Sequence, residues 1–526
     1  MQSADRRKKL VKDIFYIFSL HFLHSAACSL VLDFLKIQNR QSVWNNNAHL
    51  EQNIFEGVFI LQNRYDELTK AVDLRLNPDL SFDIVKRELI IGGKSAAMYF
   101  IDGFIKDEVF EKILEFLFRI PPERLKGIDT AKEFSERFIP YVEVESTADA
   151  EAACTAILSG ATVLIIDSVA DYLIVDTRTY PVRSVSEPEK DKTMRGAKDG
   201  FVETLIFNTA MIRRRVRDTA LRMEYYQIGE ASKVDVAICF LDGKCDKKSL
   251  DILRKRIKSI NLKGISMTQQ AVAEVICPTF FLNPFPKIKY TERPDYASAC
   301  LLEGRVLLIM DNAPTVMIFP TTFADFTKEA NDYYFPPLTA SYIRITRQFI
   351  SVITVILTPL FLLLVNNPDY IPEWLSFIKL DQTPAIPIFI QLLILEFVID
   401  GLRIASLNTP DNLSSSMSII GGLLLSEFAI NAGWFEAECI LYMAFVAIAG
   451  FSQPSFEMGY AQKFIRIMLL LTTQLLGVWG LIGGLVLTVV TMALTKTLTG
   501  RNYFYPVIPF NLKNFLRLFV RPEIKE

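Results

Sequence analysis

Charged side chains inside apolar runs are the residues of this sequence best placed to do chemistry. Glu396, Asp400 and Arg403 interrupt a hydrophobic stretch at i, i+4 and i+7, so they share one face of a helix. Arg403 can partly neutralise the two carboxylates. The face reads either as an internal salt-bridged packing surface or as a polar path through surroundings where an ionised group is costly. A second set, Ser416, Glu427, Asn431 and Glu438, falls within about 60° on a 3.6-residue helix, and no cation of that helix pairs with Glu427. Repeated around an axis of several subunits, this stripe gives rings of hydroxyls and carboxylates suited to a cation pathway. Within a single bundle it gives interhelical hydrogen bonds.

Other chemistries are removed by counting. The three histidines, His21, His24 and His49, lie in the first tenth of the chain, so no Ser–His or Cys–His pair and no zinc-binding helix follows them. The seven cysteines are scattered without a CxxC, which fits buried thiols better than a disulfide frame or a zinc site. Gly93–Lys94–Ser95 resembles the end of a phosphate loop, but the glycine required five places earlier is Glu88, and the chain continues as a strand. A hairpin turn is the reading there. No enzyme activity, metal or cofactor is expected. With 57 basic against 59 acidic residues, the net charge of −2 gives no pull towards nucleic acid.

The elements that must position these residues fall into two kinds. From Gln348 to Thr495 only 14 of 148 residues are charged, against 22% for the whole chain. The apolar runs Phe349–Val365, Ala385–Ile399, Met417–Phe435, Cys439–Phe451 and Ile467–Thr495 predict an all-α transmembrane domain over 348–500. Arg344 and Arg347 precede it, and Lys496, Arg501, Lys513, Arg517 and Arg521 follow, whereas Asp369, Glu373, Glu436 and Glu438 mark the opposite side. The soluble region and the basic tail, 501–526, thus share one side. Five crossings cannot satisfy that, so either one run is re-entrant or the Gly-rich last run (Gly477, Gly480, Gly483, Gly484) turns back. Four crossings are the expectation.

Before the membrane region, two soluble units of α/β or α+β class are expected, over 80–183 and 192–340, joined by the polar linker Ser184–Asp191. In the first, Phe82–Ile91, Ala97–Ile101, Val163–Asp167 and Asp171–Asp176 read as strands and Lys106–Phe118 as a helix. In the second, helices are expected at Gly200–Met223 and Lys247–Ile260. Strands are expected at Val234–Leu241, Val306–Asp311 and Thr315–Phe319. A packed sheet is implied, not a repeat array. Residues 1–60 form a separate extension in which Arg6–Lys9 and Ile14–Leu32 read as a signal anchor or an extra membrane helix.

Arg213, Arg214 and Arg215 sit on the first helix of the second unit, with Arg217 and Arg222 after them. Consecutive arginines cannot all face one ligand. They are either solvated and paired with Glu203, Asp218 and Glu224, or turned towards a neighbouring subunit or lipid headgroups.

Several blocks together carry a resemblance. Arg195–Phe201, Asn208–Thr209, Ile212–Arg215, Asn283–Pro286, Tyr290–Asp295 (with Thr291–Glu292–Arg293–Pro294), Leu302–Arg305, Asn408–Pro410 and Gln453–Ser455 match the spore germination A-subunit (GerA) family in order and spacing. The match runs from about residue 80 to the end. Lys198–Glu203 and Pro506–Asn511 look closest to a sporulation branch of that family, with the germinant-receptor A subunits next. The resemblance implies a multi-pass protein of the spore inner membrane with its soluble region facing the spore core. Such a protein forms or amplifies an ion-release channel as a homo-oligomer, beside B-type and C-type subunits or a small membrane partner. The alternatives are a germinant receptor A subunit proper or a non-conducting scaffold that clusters receptors. No catalytic residue is carried over. Arg213, Arg214, Arg215, Glu292, Arg293 and Glu303 are then expected to serve assembly or gating.

Overall fold

The computed structural model describes residues 64–167, 169–180, 193–260, 268–380, 384–408 and 429–521. The extension 1–60, the linker 184–191 and the last five residues lie outside them. After a helix over residues 64–76 (α1), the first unit runs β1 (Ile84–Ile91), β2 (Lys94–Ile101), α2 (Asp107–Phe118), α3 (Ala131–Phe138), β3 (Val144–Thr147), α4 (Ala150–Leu158), β4 (Thr162–Ile166) and β5 (Tyr172–Val175). Gly92 and Gly93 both have positive φ and join β1 to β2 in register Ile91↔Lys94. This is the two-residue hairpin geometry that only small residues adopt freely, and it settles the Gly93–Lys94–Ser95 stretch as a turn.

The second unit repeats the first. It runs α5 (Leu205–Arg215), β6 (Leu221–Ile228), β7 (Val234–Leu241), α6 (Lys247–Lys258), α7 (Thr268–Ile276), β8 (Lys289–Thr291), α8 (Pro294–Leu302), β9 (Val306–Met310) and β10 (Val316–Phe319). The sheets are both five-stranded and antiparallel, ordered β1-β2-β4-β5-β3 and β6-β7-β9-β10-β8, so each strand of one has a counterpart in the other. Ile101–Asp102–Gly103 after β2 matches Leu241–Asp242–Gly243 after β7. Gly160 before β4 matches Gly304 before β9, and all four glycines have positive φ. The expectation of a packed sheet and not a repeat array holds, and the structure adds that one unit is present twice, side by side.

Alternation along the strands builds two cores per unit. In the second sheet Val236, Ile238, Phe240, Leu308 and Met310 face α6 and α7, while Ala237, Cys239, Leu241, Leu307 and Ile309 face α5 and α8. Each sheet is therefore buried on both sides between helices, and its central strands read as unbroken apolar runs. Burial pushes the thiols of Cys154 and Cys277 up to about 11, as inert packing groups require.

The expected helix Gly200–Met223 is shorter than its sequence suggested. It stops at Arg215, and the following residues turn into β6, which pairs with β7 over its full length. Leu221, Arg222, Met223 and Glu224 are good helix formers, but sheet pairing overrides propensity.

The apolar half forms a bundle of α9 (Pro337–Asn366), α10 (Ile388–Asn408), α11 (Ala437–Phe451) and α12 (Phe456–Leu494), followed by the short α13 (Leu512–Phe519). α9 and α12 are long and apolar enough to cross a membrane. α12 is not one rod. Gly477 (φ 57°, ψ −133°) breaks it, and the second leg returns along the first. A Cβ on Gly480 would strike the Thr472 carbonyl, and one on Gly484 would lie 2.6 Å from Leu469. Those residues would be more than 10 Å apart in a straight helix at 1.5 Å per residue. The glycines thus make the close approach that the turn-back of the last run calls for.

Candidate functional site

Chain direction gives the bundle two ends. α9 starts beside Asp332, which Arg344 and Arg347 both contact, and ends at Asn366, whose Nδ2 is 3.3 Å from Gln474 Oε1 just before the Gly477 turn. α10 begins at that far end, where Gln391 Oε1 accepts from the Glu436 amide at 2.8 Å. It ends at the near end, where Arg403 lies over Phe451, Phe456 and Tyr460. The second leg of α12 closes the circuit at Thr495, whose Oγ1 accepts from Asn283 of the soluble region at 2.8 Å.

Between these helices sits a buried charge cluster. Glu396, 2% exposed, receives both arms of the Arg466 guanidinium, one of them at 2.9 Å. Asp400 pairs with Lys463, which also donates to the Glu396 carbonyl at 3.0 Å. Arg466 donates further to Thr354 O at 3.2 Å, so α9, α10 and α12 are tied through one residue. The expected neutralisation by Arg403 is corrected: the counter-charges come from the neighbouring helix, and Arg403 rests in an aromatic cage. Lys463 and Arg466, absent from the sequence-derived candidates, were detectable as a cationic pair at i, i+3 beside an otherwise apolar run.

The cluster borders a cavity of about 40 Å³ whose lining also includes Gly450, Tyr460 and Gln462. Gln462 is buried and donates to Ser351 Oγ at 2.6 Å, while its own carbonyl oxygen has no hydrogen-bond partner. At roughly 10–15 Å³ per water, the space suits two or three waters that would satisfy it.

The second expected set is split. Ser416 and Glu427 lie outside the described residues. Asn431 is the last helical residue before a turn, Gly433 lies in that turn at φ 69°, and Glu438 falls in the first turn of a separate helix, α11. Asn431 and Glu438 therefore do not continue one helical stripe.

The arginine and TERPD blocks turn inwards. Arg213 is fully buried and holds Asp83 through two bonds (2.7 and 3.1 Å), Ser81 Oγ at 3.3 Å and the Leu221 carbonyl at 3.1 Å. It bolts the first unit to the second. Arg215 grips Asp199 with bonds of 2.7 and 2.5 Å, and Arg214 lies 4.2 Å from the Tyr180 ring centre. Arg293 is fully buried, bound to Asp295 and, at 2.8 Å, to the Ala197 carbonyl. Burial alone would raise the Asp295 carboxyl, but hydrogen bonds from Arg293 and Tyr334 outweigh it and hold the group below the usual range. The Glu292 carbonyl accepts from the Phe201 amide at 2.8 Å, and exposed Glu303 meets the Tyr333 hydroxyl at 3.3 Å. Arg213 and Arg293, expected to serve assembly or gating, are buried as joints inside this chain and present no surface. Arg214 and Glu303 remain at the surface.

These joints run from the soluble sheets to the foot of α9. Asp295 takes the Tyr334 hydroxyl, Gly196 lies against the Tyr334 ring, and Asp332 receives Arg344 and Arg347 two residues earlier. A family model described as "Bacillus/Clostridium GerA spore germination protein" matches residues 72–526. Stage V sporulation protein AF of Bacillus subtilis (strain 168) is 34% identical over 447 residues, covering 85% of this chain and 90% of that protein. Spore germination protein KA of the same organism is 27% identical over 82% of this chain and 80% of its own length. Among solved structures, the N-terminal domain of the A subunit of the Bacillus megaterium spore germinant receptor GerK3 is 26% identical with a TM-score of 0.36, covering 48% of this chain and 92% of that one. The chain belongs to the GerA family of spore germination proteins.

Proposed function

We propose that this protein is a multi-pass subunit of the spore inner membrane whose helix bundle passes or amplifies the release of ions at germination. The observation that carries this reading is the Glu396–Arg466 and Asp400–Lys463 cluster around a water-sized cavity in the middle of an apolar bundle. Ionised groups in hydrocarbon persist only where they pair or meet water, and here they pair beside a cavity with room for water. In the closed state the two pairs hold α10 against α12. Separation of those helices frees two carboxylates and two cations along a wetted seam, which is a charged path.

Several features support the membrane arrangement. Both feet of the bundle lie on one side, so the number of passes is even. Lys496, Arg501, Lys513, Arg517 and Arg521 gather there, while Asp369, Glu373, Glu436 and Glu438 lie at the far end. Trp374, Trp434 and Trp479, all exposed, stand at the far-end turns as an interfacial belt would. That asymmetry supports a soluble region that faces the spore core. Self-assembly, with other germination subunits beside it, is part of the same proposal, and Arg214 and Glu303 are surface residues able to take part.

The test is ion efflux from liposomes holding the purified full chain. Glu396→Gln and Asp400→Asn each remove one half of a pair and should raise potassium efflux about tenfold, equivalent to roughly 1.4 kcal/mol in the closed–open balance. Unchanged efflux in both, with normal insertion, removes the channel reading and leaves a scaffold.

A further inference from the structure

The near face of the bundle carries two amphipathic elements that the described chain leaves uncovered. The first is the loop tip Phe280–Phe281–Leu282, exposed by 74%, 96% and 73%. Three apolar side chains presented together to water have no folding rationale, since burial of each would be favourable by about 1.5–3 kcal/mol. The tip is also firmly placed. The next residue, Asn283, bonds Thr495 at the foot of α12, and Phe285 is buried with Met458, Ile465 and Tyr503 among the membrane helices. Phe280–Leu282 therefore stands at the level where the apolar helices emerge.

The second element is α13. Leu518 packs inwards, Leu512 and Leu516 are 59% and 51% exposed, and Lys513 and Arg517 lie one step of about 100° further round the helix. An apolar edge beside a basic edge is the pattern of a helix lying in a lipid interface. α13 is tied to the first turns of α9: the Arg521 amide donates to Ser341 Oγ at 3.0 Å, and Arg344 Nη1 to the Arg517 carbonyl at 3.3 Å. Ser341 and Arg344 precede the uncharged run from Phe349 by five to eight residues, about 8–12 Å along a helix, which is headgroup depth.

Resting on the membrane reading above, we propose that the near face is seated on an anionic bilayer. Phe280–Leu282 inserts among the upper acyl chains, and α13 lies flat with Lys513 and Arg517 on lipid phosphates. Charge complementarity and direct continuity with the feet of α9 and α12 favour lipid over a second copy or a protein partner. The seat fixes the second soluble unit against the membrane at two points, independently of the backbone link through α9.

The experiment uses the full chain with F281W, inserted in vesicles of phosphatidylcholine and phosphatidylglycerol brominated near the top of the acyl chains. L516W reads α13 separately, and both sites are exposed enough to accept tryptophan. The emission each variant adds over the native chain should fall by about half or more in brominated vesicles, as for other interfacial side chains. Added emission quenched by aqueous iodide and not by bromolipid would overturn the proposal. So would emission shielded from both, which would mean a second copy or a protein partner covers the site. Native Trp374, Trp434 and Trp479 supply the control, with the fourth tryptophan removed throughout as Trp44→Phe. If bromolipid quenches them and spares the new tryptophans, only the seat fails; if it spares them too, the membrane reading fails.

Discussion

Both halves of the molecule bury an arginine–carboxylate pair, and they surround it differently. In the soluble half, Arg213 and Asp83 are 0% and 1% exposed, with a hydroxyl and two backbone carbonyls completing the guanidinium's partners. In the bundle, Arg466 and Glu396 are nearly as buried, yet they edge a cavity and sit beside a glutamine oxygen left without a partner. A saturated pair is a joint; a pair beside unfilled polar space has somewhere to go. On the channel reading proposed above, the contrast would separate the part of the chain built to stay closed from the part that opens.

The sharpest way to break the comparison is to remove the joint. Arg213→Met leaves Asp83 buried without its charge partner and should cost about 3–5 kcal/mol, read as a lowered unfolding midpoint of the detergent-solubilised chain. A loss well below 1 kcal/mol would show that the two units are held by their apolar contacts instead. Next in size is the hairpin. Gly480→Ala forces the legs of α12 apart at Thr472 and should cost about 1–3 kcal/mol, with raised ion leak as a second readout. Leak unaffected at reduced stability would detach the hairpin from gating.

A smaller effect comes from acid. Because the folded-state carboxyl of Asp295 is held below its ordinary range, its stabilisation is fully present above about pH 4, the unfolded value, and is lost as pH falls through the folded one. Asp295→Asn should therefore flatten the acid side of the unfolding profile and leave pH 7 cation leak unchanged. The least effect is expected at an exposed pair. Glu115→Ala, which frees Arg119 on the surface of α2, should shift stability by no more than about 0.5 kcal/mol.

The fold was legible where local signals agreed. β1 and β2 flank a Gly–Gly turn, β9 and β10 flank Asn312 at positive φ, and β7 alternates through β-branched residues. The edge strands β3 and β8 are short and pair with strands that begin 25 residues after they end, whereas β6 is written in helix formers and is held extended by pairing with the adjacent β7. The duplication was hidden for the same reason: its shared features are a few turn residues separated by over 100 positions. At the site, Glu396 and Asp400 announced themselves as carboxylates in an apolar run. Their partners lie more than 60 residues away, and only the packing of α10 on α12 brings Lys463 and Arg466 to them. The arginine cluster misled because adjacent arginines resemble a surface patch, whereas Arg213 faces inwards to a carboxylate 130 residues earlier.

The turn at Gly477 makes α12 a pair of tongs. Its first leg, residues 456–476, is about 30 Å long at 1.5 Å per residue, and both legs are gripped at their feet by soluble-side residues, Phe285 and Asn283. A rotation of about 5° at that grip swings the Gly477 tip by roughly 2–3 Å over such a length. Leverage of this kind lets a movement of a fraction of an ångström among the sheets arrive at the opposite rim as a displacement as wide as an ion.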